Sequence, residues 1–196
     1  PPEKEDCVPF VTIDEFFDTN GVRVPHIVAK DLEQGFLLLE DFGDVLLSTQ
    51  LDDKTVDAHY AQSFKQLIQL QSIDGEGHFP AYSYEKLMTE MSLLTDWLLP
   101  SLQIQPSDDE SALIKRTFAI LANAALAQPQ VIVHRDFHSR NLMLLVDEQE
   151  QGVIDFQDAV IGADTYDLIS ITRDAYVQWN PERVYHWFKV FYDLLP

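Results

Sequence analysis

The chain has 196 residues, of which 46% are apolar and 11% are aromatic, so it can bury a hydrophobic core and is not a disordered segment. With 13 basic against 33 acidic residues, its formal net charge is -20, and such a surface repels nucleic acid and anionic membranes. A nucleotide phosphate is repelled in the same way, so a nucleotide site on this chain would need a cation.

The first part of the chain predicts a helix, a short strand and a longer helix. Apolar residues at helical spacing predict a helix over residues 8–17, which Asn20-Gly21 would end. The apolar run from Gly35 to Glu40 is bounded by turn residues and predicts a buried strand. Residues 54–72 carry apolar side chains on one helical face and predict an amphipathic helix.

The middle of the chain predicts two more helices. Residues 84–99 have a helical pattern that we expect Pro100 to end. Ser107 stands three residues before Glu110, which is the spacing of a capping box at a helix start. This second helix would continue to about residue 128, just before a proline.

After residue 129 the pattern changes to short apolar runs. These runs predict strands at residues 130–133, 142–146 and 152–154. The acidic segment 147–150 would form the turn between the last two strands. Helical spacing returns after Gly162, and Asn180-Pro181 begins a last, aromatic-rich helix. The predicted layout is a mostly helical body with a small hairpin set into it.

The hairpin region carries the residues that point to chemistry. His134, Asp136 and Asn141 form the pattern H-x-D-x-x-x-x-N before one apolar strand, and Asp155 follows the next strand. Phosphoryl transfer from ATP needs a carboxylate that accepts the proton of the attacking hydroxyl, and oxygen ligands that hold Mg²⁺ on the phosphates. Each of these residues alone fits an ordinary turn or strand end. Together, at this spacing, they predict a kinase-type site.

The triplet Asp41-Phe42-Gly43 matches the metal-binding triplet of kinases, but it stands before the catalytic loop. In kinases the metal-binding aspartate follows that loop, so Asp155-Phe156-Gln157 takes this place. We expect residues 40–44 to form the hinge between two lobes. There, backbone groups of Glu40, Asp41 and Phe42 would hydrogen-bond the edge of an adenine.

A resemblance to a known family is carried by four segments: PPEKEDCVPFV, LLEDFGD, HRDFHSRNLM and GVIDFQDAVIGADTYDLIS, which is followed by RDAY. They resemble the aminoglycoside phosphotransferase branch of the protein-kinase-like fold, and more closely the bacterial N-acetylmuramate/N-acetylglucosamine anomeric kinases of cell-wall sugar recycling. The resemblance implies an α+β, two-lobed fold. Residues 1–44 would be the remainder of an N-terminal lobe and the hinge, and residues 45–196 a mainly helical C-terminal lobe.

The resemblance also implies the reaction and the roles of single residues. The protein would use ATP and Mg²⁺ to phosphorylate a hydroxyl of a small amino sugar, with no nucleic acid or membrane partner. Asp136 would be the catalytic base, and Asn141 and Asp155 would be the Mg²⁺ ligands. The residues that would support the site structurally are His134, His138 and Asp167.

The chain departs from the family at its start. Kinases of this fold begin with a Gly-rich turn and a strand that bears a phosphate-binding lysine, and neither is present. We therefore expect the chain to be part of a longer protein. In many relatives the next helix supplies a glutamate for that lysine, and Glu15 is the candidate. The single cysteine, Cys7, is consistent with a reducing compartment, and no secretory signal is visible, so we expect a cytoplasmic protein.

Two other functions stay open. An aminoglycoside or other amino-alcohol phosphotransferase would suit the acidic surface, which attracts cationic acceptors. A non-catalytic, nucleotide-binding pseudokinase is the second alternative, and the presence of Asp136, Asn141 and Asp155 argues against it. A protein kinase is disfavoured, because no activation segment of that class follows Asp155.

Overall fold

The computed structural model describes residues 6–145 and 150–196, so most of the predicted acidic turn lies outside the described residues. The α-helices are α1 (Val8–Thr19), α2 (Val56–Ser72), α3 (Tyr84–Leu93), α4 (Leu99–Ser101), α5 (Asp108–Leu126), α6 (Tyr166–Thr172) and α7 (Pro181–Leu194). The strands are β1 (Ile27–Asp31), β2 (Phe36–Leu39), β3 (Gln130–Val133), β4 (Leu142–Leu144), β5 (Gln151–Val153) and β6 (Val160–Ala163). Within these two ranges, no helix combines the length and apolarity that crossing a membrane requires.

The strand predicted over residues 35–40 forms as β2, but the prediction that it is buried is wrong. β2 pairs antiparallel with β1, a strand that the sequence analysis did not predict. Phe36 is 67% exposed and Leu38 is 59% exposed. In the described part of the chain this sheet has two strands only, and a two-stranded ribbon leaves one of its faces to solvent.

The helix predicted over residues 84–99 is divided into three pieces, and Pro100 does not end it. α3 continues into a π-helix (Leu94–Leu98) and then into the short α4. Pro100 lies in the first turn of α4, where a helix needs no backbone N–H donor. In the π-turn before it, the Leu99 N–H donates to the Leu94 carbonyl, five residues earlier instead of four, and the chain stays helical through Pro100.

Two predicted helix starts are confirmed. The hydroxyl of Ser107 accepts a hydrogen bond from the Glu110 N–H at 3.3 Å, and Glu110 Oε2 accepts one from the Ser107 N–H at 2.8 Å. At the start of α7, the Asn180 side chain accepts from the Glu182 N–H at 2.9 Å. Both caps satisfy N–H groups that have no partner inside the helix.

The strand pairs bring the two halves of the predicted site to one place. β4 pairs antiparallel with β5, with Leu142 opposite Val153. Asn141 immediately precedes β4 and Asp155 lies two residues after β5, so the two residues stand at the same end of this hairpin. The neighbouring pair joins β3 to β6, a strand that the sequence analysis missed.

Aromatic packing fixes the residue that follows Asp155. Phe156 is fully buried. Its ring centroid lies 4.9 Å from that of Phe10 and 5.7 Å from that of Phe17, both on α1. Burying aromatic rings is among the largest contributions to core stability. The helix α1 therefore anchors the strand end that carries Asp155.

The inner face of α1 also buries a carboxyl group. Asp14 is 2% exposed, and its Oδ2 has no hydrogen-bond partner among the described residues. Burial, together with the nearby Asp18 and Glu15, raises the pKa of Asp14 to about 6. The neighbouring Glu15 faces outward, where it forms an ion pair with Lys30 on β1. The native state therefore holds a proton on Asp14 at pH values where the unfolded chain releases it.

We expect Asp14→Asn to stabilise the protein more at pH 7.5 than at pH 5. Because the folded-state pKa of Asp14 lies above the unfolded value, wild type loses stability as the pH rises from about 4 to about 6, and the variant does not. The stability gain over wild type should grow by about 1.4 kcal/mol between the two pH values, which corresponds to about one pKa unit.

Urea unfolding of both proteins at the two pH values measures this gain. The control is Asp193→Asn on the exposed side of α7, whose effect should be the same at both. A gain for Asp14→Asn that does not change with pH would contradict the prediction.

Candidate active site

The loop between β3 and β4 meets the end of β5 through one side chain. Asn141 Nδ2 donates hydrogen bonds to the backbone carbonyl of Asp136 at 3.0 Å and to Asp155 Oδ2 at 3.2 Å. The Ile154 N–H donates to the Asn141 carbonyl at 3.1 Å. The side chains of Asp136 and Asp155 are both exposed. The structure therefore brings the three predicted residues together, with both carboxylates open to a reactant.

Two residues of this site have a left-handed backbone. Arg135 has φ 77° and Asp155 has φ 65°, a region that residues other than glycine seldom adopt. Each such residue costs on the order of 1–3 kcal/mol and persists only where its surroundings enforce it. At Asp155 the carboxylate is held by Gln157, whose Nε2 donates to Asp155 Oδ1 at 2.9 Å. The strain lies next to the two carboxylates that the site presents.

A buried carboxylate enforces the conformation at Arg135. Asp167, at the start of α6, is fully buried and accepts hydrogen bonds from the backbone N–H of His134 at 2.7 Å and of Arg135 at 3.0 Å. Burial raises the pKa of Asp167 to about 7, and the two backbone donors oppose that rise. The pair of hydrogen bonds fastens the loop to α6 directly before Asp136.

The imidazole of His134 fastens the loop on its other side. Its Nε2 lies 3.0 Å from the Ile154 carbonyl, which can only accept, so Nε2 carries the proton. Nδ1 is then free to accept from the Asp136 N–H at 3.3 Å. Burial lowers the pKa of His134 to about 4, so the ring is neutral near pH 7. His134 links the backbone of Asp136 to the strand end before Asp155.

The second half of the loop is held by a residue that the sequence analysis did not assign. Asp174 accepts from the Ser139 N–H at 2.9 Å and from the Ser139 hydroxyl. The ring of His138 packs edge-on against Tyr176 at 5.2 Å, and its Nδ1 is buried without a hydrogen-bond partner among the described residues. The segment after α6 therefore forms a wall beside the loop.

A second unassigned contact joins α3 to the loop. Arg135 donates to Glu90 Oε1 at 2.7 Å, and the Tyr82 hydroxyl also contacts Glu90. The guanidinium carbon of Arg135 lies 5.6 Å from the centroid of the Tyr82 ring. No local sequence signal connects these residues, because the loop and α3 are distant along the chain.

The expected hinge leaves two backbone groups available. The Glu40 N–H donates to the His26 carbonyl at 2.8 Å, whereas the Glu40 carbonyl and the Phe42 N–H have no partner in the described ranges. The Glu40 carboxylate pairs with Arg23 through two hydrogen bonds, and this contact lowers its pKa to about 2. Asp41 is exposed and accepts from the Gly43 N–H at 2.8 Å, so it caps a turn.

The ring of Phe42 ties this segment to β5. A Cβ atom placed on Gly152 would lie 2.3 Å from Phe42 Cε2 and 2.4 Å from Cδ2, distances that real Cβ contacts do not reach. The guanidinium carbon of Arg23 lies 4.6 Å from the centroid of the same ring. Glycine at position 152 thus allows the hinge to pack against the strand that leads to Asp155.

The residues at the end of the hairpin fit a magnesium ion. Asp155 and Asn141 supply a carboxylate and an amide oxygen, which are ligand types that Mg²⁺ takes. Across residues 6–145 and 150–196, no three His, Cys, Asp or Glu side chains cluster to hold a metal by themselves. An ion here would complete its ligands with phosphate and water oxygens, as Mg²⁺ at nucleotide sites does.

Comparisons with known proteins agree on one family. The sequence profile described as the Phosphotransferase enzyme family matches residues 1–193. The N-acetylmuramate/N-acetylglucosamine kinase of Pseudomonas aeruginosa is 41% identical over 186 residues, which cover 94% of this chain and 54% of the relative. The enzyme of the same name from Pseudomonas putida is 38% identical and is covered to 55% of its length. The chain thus spans about half the length of the curated relatives it matches.

Solved structures with the same fold have low sequence identity. The ADP-bound aminoglycoside phosphotransferase APH(2'')-Ib has a TM-score of 0.68 at 20% identity, over 96% of this chain and 67% of that one. A choline/ethanolamine kinase family protein from Mesorhizobium loti has a TM-score of 0.67 at 11% identity, over 95% of this chain and 60% of that one. The predicted α+β, protein-kinase-like fold is confirmed.

We expect Gly152→Ala to destabilise the protein by about 1–3 kcal/mol, the usual cost of overpacking a fitted contact. The added methyl group would collide with the Phe42 ring, so most of this cost should vanish in a Phe42→Ala background. Urea unfolding of the two single variants and the double variant measures the coupling.

Gly162→Ala on β6 is the matched control, since a Cβ there would meet its neighbours at 3.2–3.3 Å and should cost less. An equal cost of Gly152→Ala with and without the Phe42 ring would rule out this contact as its cause.

Proposed function

The chain belongs to the phosphotransferase enzyme family, and we propose that the protein is an ATP-dependent kinase that phosphorylates a hydroxyl of an amino sugar of the N-acetylmuramate/N-acetylglucosamine type. The observation that carries the proposal is the meeting of Asp136, Asn141 and Asp155 at one end of the β4–β5 hairpin. The identity of 41% to a kinase with these sugars in its name supports the substrate class.

In the proposed reaction, Asp136 accepts the proton of the attacking sugar hydroxyl. Its side chain is exposed, and its backbone is held by His134 and Asn141 next to the hairpin end. A general base needs hydrogen-bond reach to the proton that it takes and a fixed position. These backbone contacts supply the fixed position.

Asp155 and Asn141 would hold Mg²⁺, which when bound neutralises negative charge on the phosphates. Without a cation, the carboxylates of Asp136 and Asp155 and a net charge of -20 would repel ATP. In the same proposal, the Glu40 carbonyl and the Phe42 N–H bind the adenine edge. The proposal keeps residues 1–44 as the hinge and remainder of an N-terminal lobe, residues 45–196 as the C-terminal lobe, and a cytoplasmic location.

An aminoglycoside phosphotransferase is the second candidate, because the net charge of -20 favours a cationic acceptor. The two candidates differ in their acceptor. An assay of the intact protein with ATP and Mg²⁺ should include N-acetylmuramate, N-acetylglucosamine and a kanamycin-type aminoglycoside, with the phosphorylated position determined by NMR. Turnover of the aminoglycoside alone would favour the second candidate.

We expect Asp136→Asn to lower kcat at least about a hundredfold, because it removes the base and keeps the shape. Binding of Mg-ATP should persist in this variant. Asp155→Asn should instead weaken nucleotide binding, and excess Mg²⁺ should partly restore it, since the variant loses a metal ligand. Steady-state kinetics and calorimetric titration of ATP, with and without Mg²⁺, separate the two effects.

Asp41→Asn is the control for these variants. Asn can cap the same turn through its side-chain oxygen, so turnover should stay within about tenfold of wild type. Near-normal turnover of Asp136→Asn, or equal ATP binding with and without metal, would show that the roles are wrong. A non-catalytic nucleotide-binding protein would then be the better account.

A further inference from the structure

A cavity of about 410 Å³ lies beside the catalytic loop, between the end of α6 and the start of α7. Arg173, Tyr176 and Trp179 are among the residues that line it. Its wall is fastened to the loop, because Ser139 donates two hydrogen bonds to Asp174. The cavity is therefore held at a fixed distance from the loop that carries Asp136.

The acidic group in this wall is already satisfied. Asp174 is 7% exposed, and besides the two donors of Ser139 it accepts from the Tyr176 N–H at 2.8 Å. Hydrogen bonds of this kind disperse the charge of a carboxylate. Asp174 is therefore mostly buried, and its oxygens already accept hydrogen bonds from within the wall.

Two arginines beside the cavity have no carboxylate partner within the described residues. Arg140 immediately precedes Asn141, and its guanidinium carbon lies 3.9 Å from the centroid of the Tyr176 ring. Arg173 lines the cavity itself, and both side chains are exposed.

Three of the other four arginines do have such a partner, in a chain whose acidic residues outnumber its basic ones by 33 to 13. Arg23, Arg135 and Arg183 each form an ion pair with a carboxylate. The guanidinium group of Arg173, which lines the cavity, and that of Arg140, which stacks on the Tyr176 ring in the cavity wall, are therefore available to a ligand.

We infer that Arg140 and Arg173 bind a carboxylate carried by the sugar acceptor, and that this cavity selects an acidic amino sugar over a neutral one. The inference rests on the proposed function. N-acetylmuramate has a lactyl carboxylate that N-acetylglucosamine lacks. The planar guanidinium fork matches a carboxylate through two parallel hydrogen bonds. The Tyr176 ring holds the Arg140 plane by a cation–π contact and leaves its N–H groups to the ligand.

The same two charges disfavour a polycationic acceptor. An aminoglycoside in this cavity would meet two guanidinium groups of its own sign, and like-charge contacts reduce affinity. The net negative charge attracts cations to the protein surface as a whole, whereas the two arginines would contact the bound acceptor directly. The local charge thus favours the acidic sugar.

The test compares two sugars in Arg140→Gln, Arg173→Gln and the double variant of the intact protein. For N-acetylmuramate, kcat/KM should fall about tenfold to a hundredfold in the double variant, the range for loss of charge-assisted hydrogen bonds. For N-acetylglucosamine it should stay within about threefold. Arg116→Gln is the matched control, because Arg116 is exposed on α5, away from the cavity. It should change neither value.

Equal losses for both sugars would overturn the inference. A loss of Mg-ATP affinity in the double variant, measured by calorimetry, would also overturn it, since the arginines would then bind nucleotide phosphate. Calorimetric titration of the two sugars themselves does not depend on turnover. The inference is supported if wild type binds N-acetylmuramate more tightly than N-acetylglucosamine and the double variant loses this difference. Equal binding of both sugars by wild type overturns it. If neither sugar is phosphorylated, the proposed function fails, and these titrations still decide the inference.

Discussion

The site depends on one buried carboxylate. Asp167 has no exposed surface, and it accepts the backbone N–H groups of His134 and Arg135. A buried carboxylate without such donors would cost several kcal/mol, so the two hydrogen bonds are needed by the aspartate as well as by the loop. They hold Arg135 at φ 77°. The left-handed backbone at Arg135 then sets the orientation of the next residue in the loop, Asp136.

The remaining contacts act on the same short segment from different sides. His134 links the Asp136 backbone to the strand end, and Asn141 joins that backbone to the Asp155 carboxylate. Glu90 and Asp174 hold the two ends of the loop from α3 and from the segment after α6. Of the three non-glycine residues with left-handed backbone in the described ranges, Arg135 and Asp155 therefore belong to the proposed site, and the third, Gln103, follows α4. Ordered elements on several sides support the strain at the site.

Part of this arrangement could be predicted from the sequence because its signals are local. The capping box at Ser107 and the spacing of His134, Asp136 and Asn141 depend on residues close together in the chain. The contact of Arg135 with Glu90 could not be predicted, because it depends on how α3 packs against the loop. β6 was missed for a related reason. Its four residues include Gly162, and it is a strand because β3 pairs with it.

The exposure of β2 could not be predicted either. An apolar run bounded by turn residues has the same sequence pattern whether or not a second layer of structure covers it. The exposure of Phe36 and Leu38 shows that no other described residues cover this face of β2. The departure at Pro100 has a different cause. A proline inside a helix removes one backbone donor, and the π-helix before α4 changes the hydrogen-bond pattern next to Pro100, so the helix continues past it.

The central claim is that Asp167 organises the loop that presents Asp136, and amide hydrogen exchange in Asp167→Asn tests it most directly. An Asn side chain can accept one of the two backbone hydrogen bonds but turns an NH₂ group toward the other donor. Exchange at the amides of His134 and Arg135 should therefore speed up at least about tenfold, while amides of β3 keep their protection. Asp164→Asn, in the turn before α6, is the control and should change neither. Unchanged protection of both loop amides in Asp167→Asn would contradict the account.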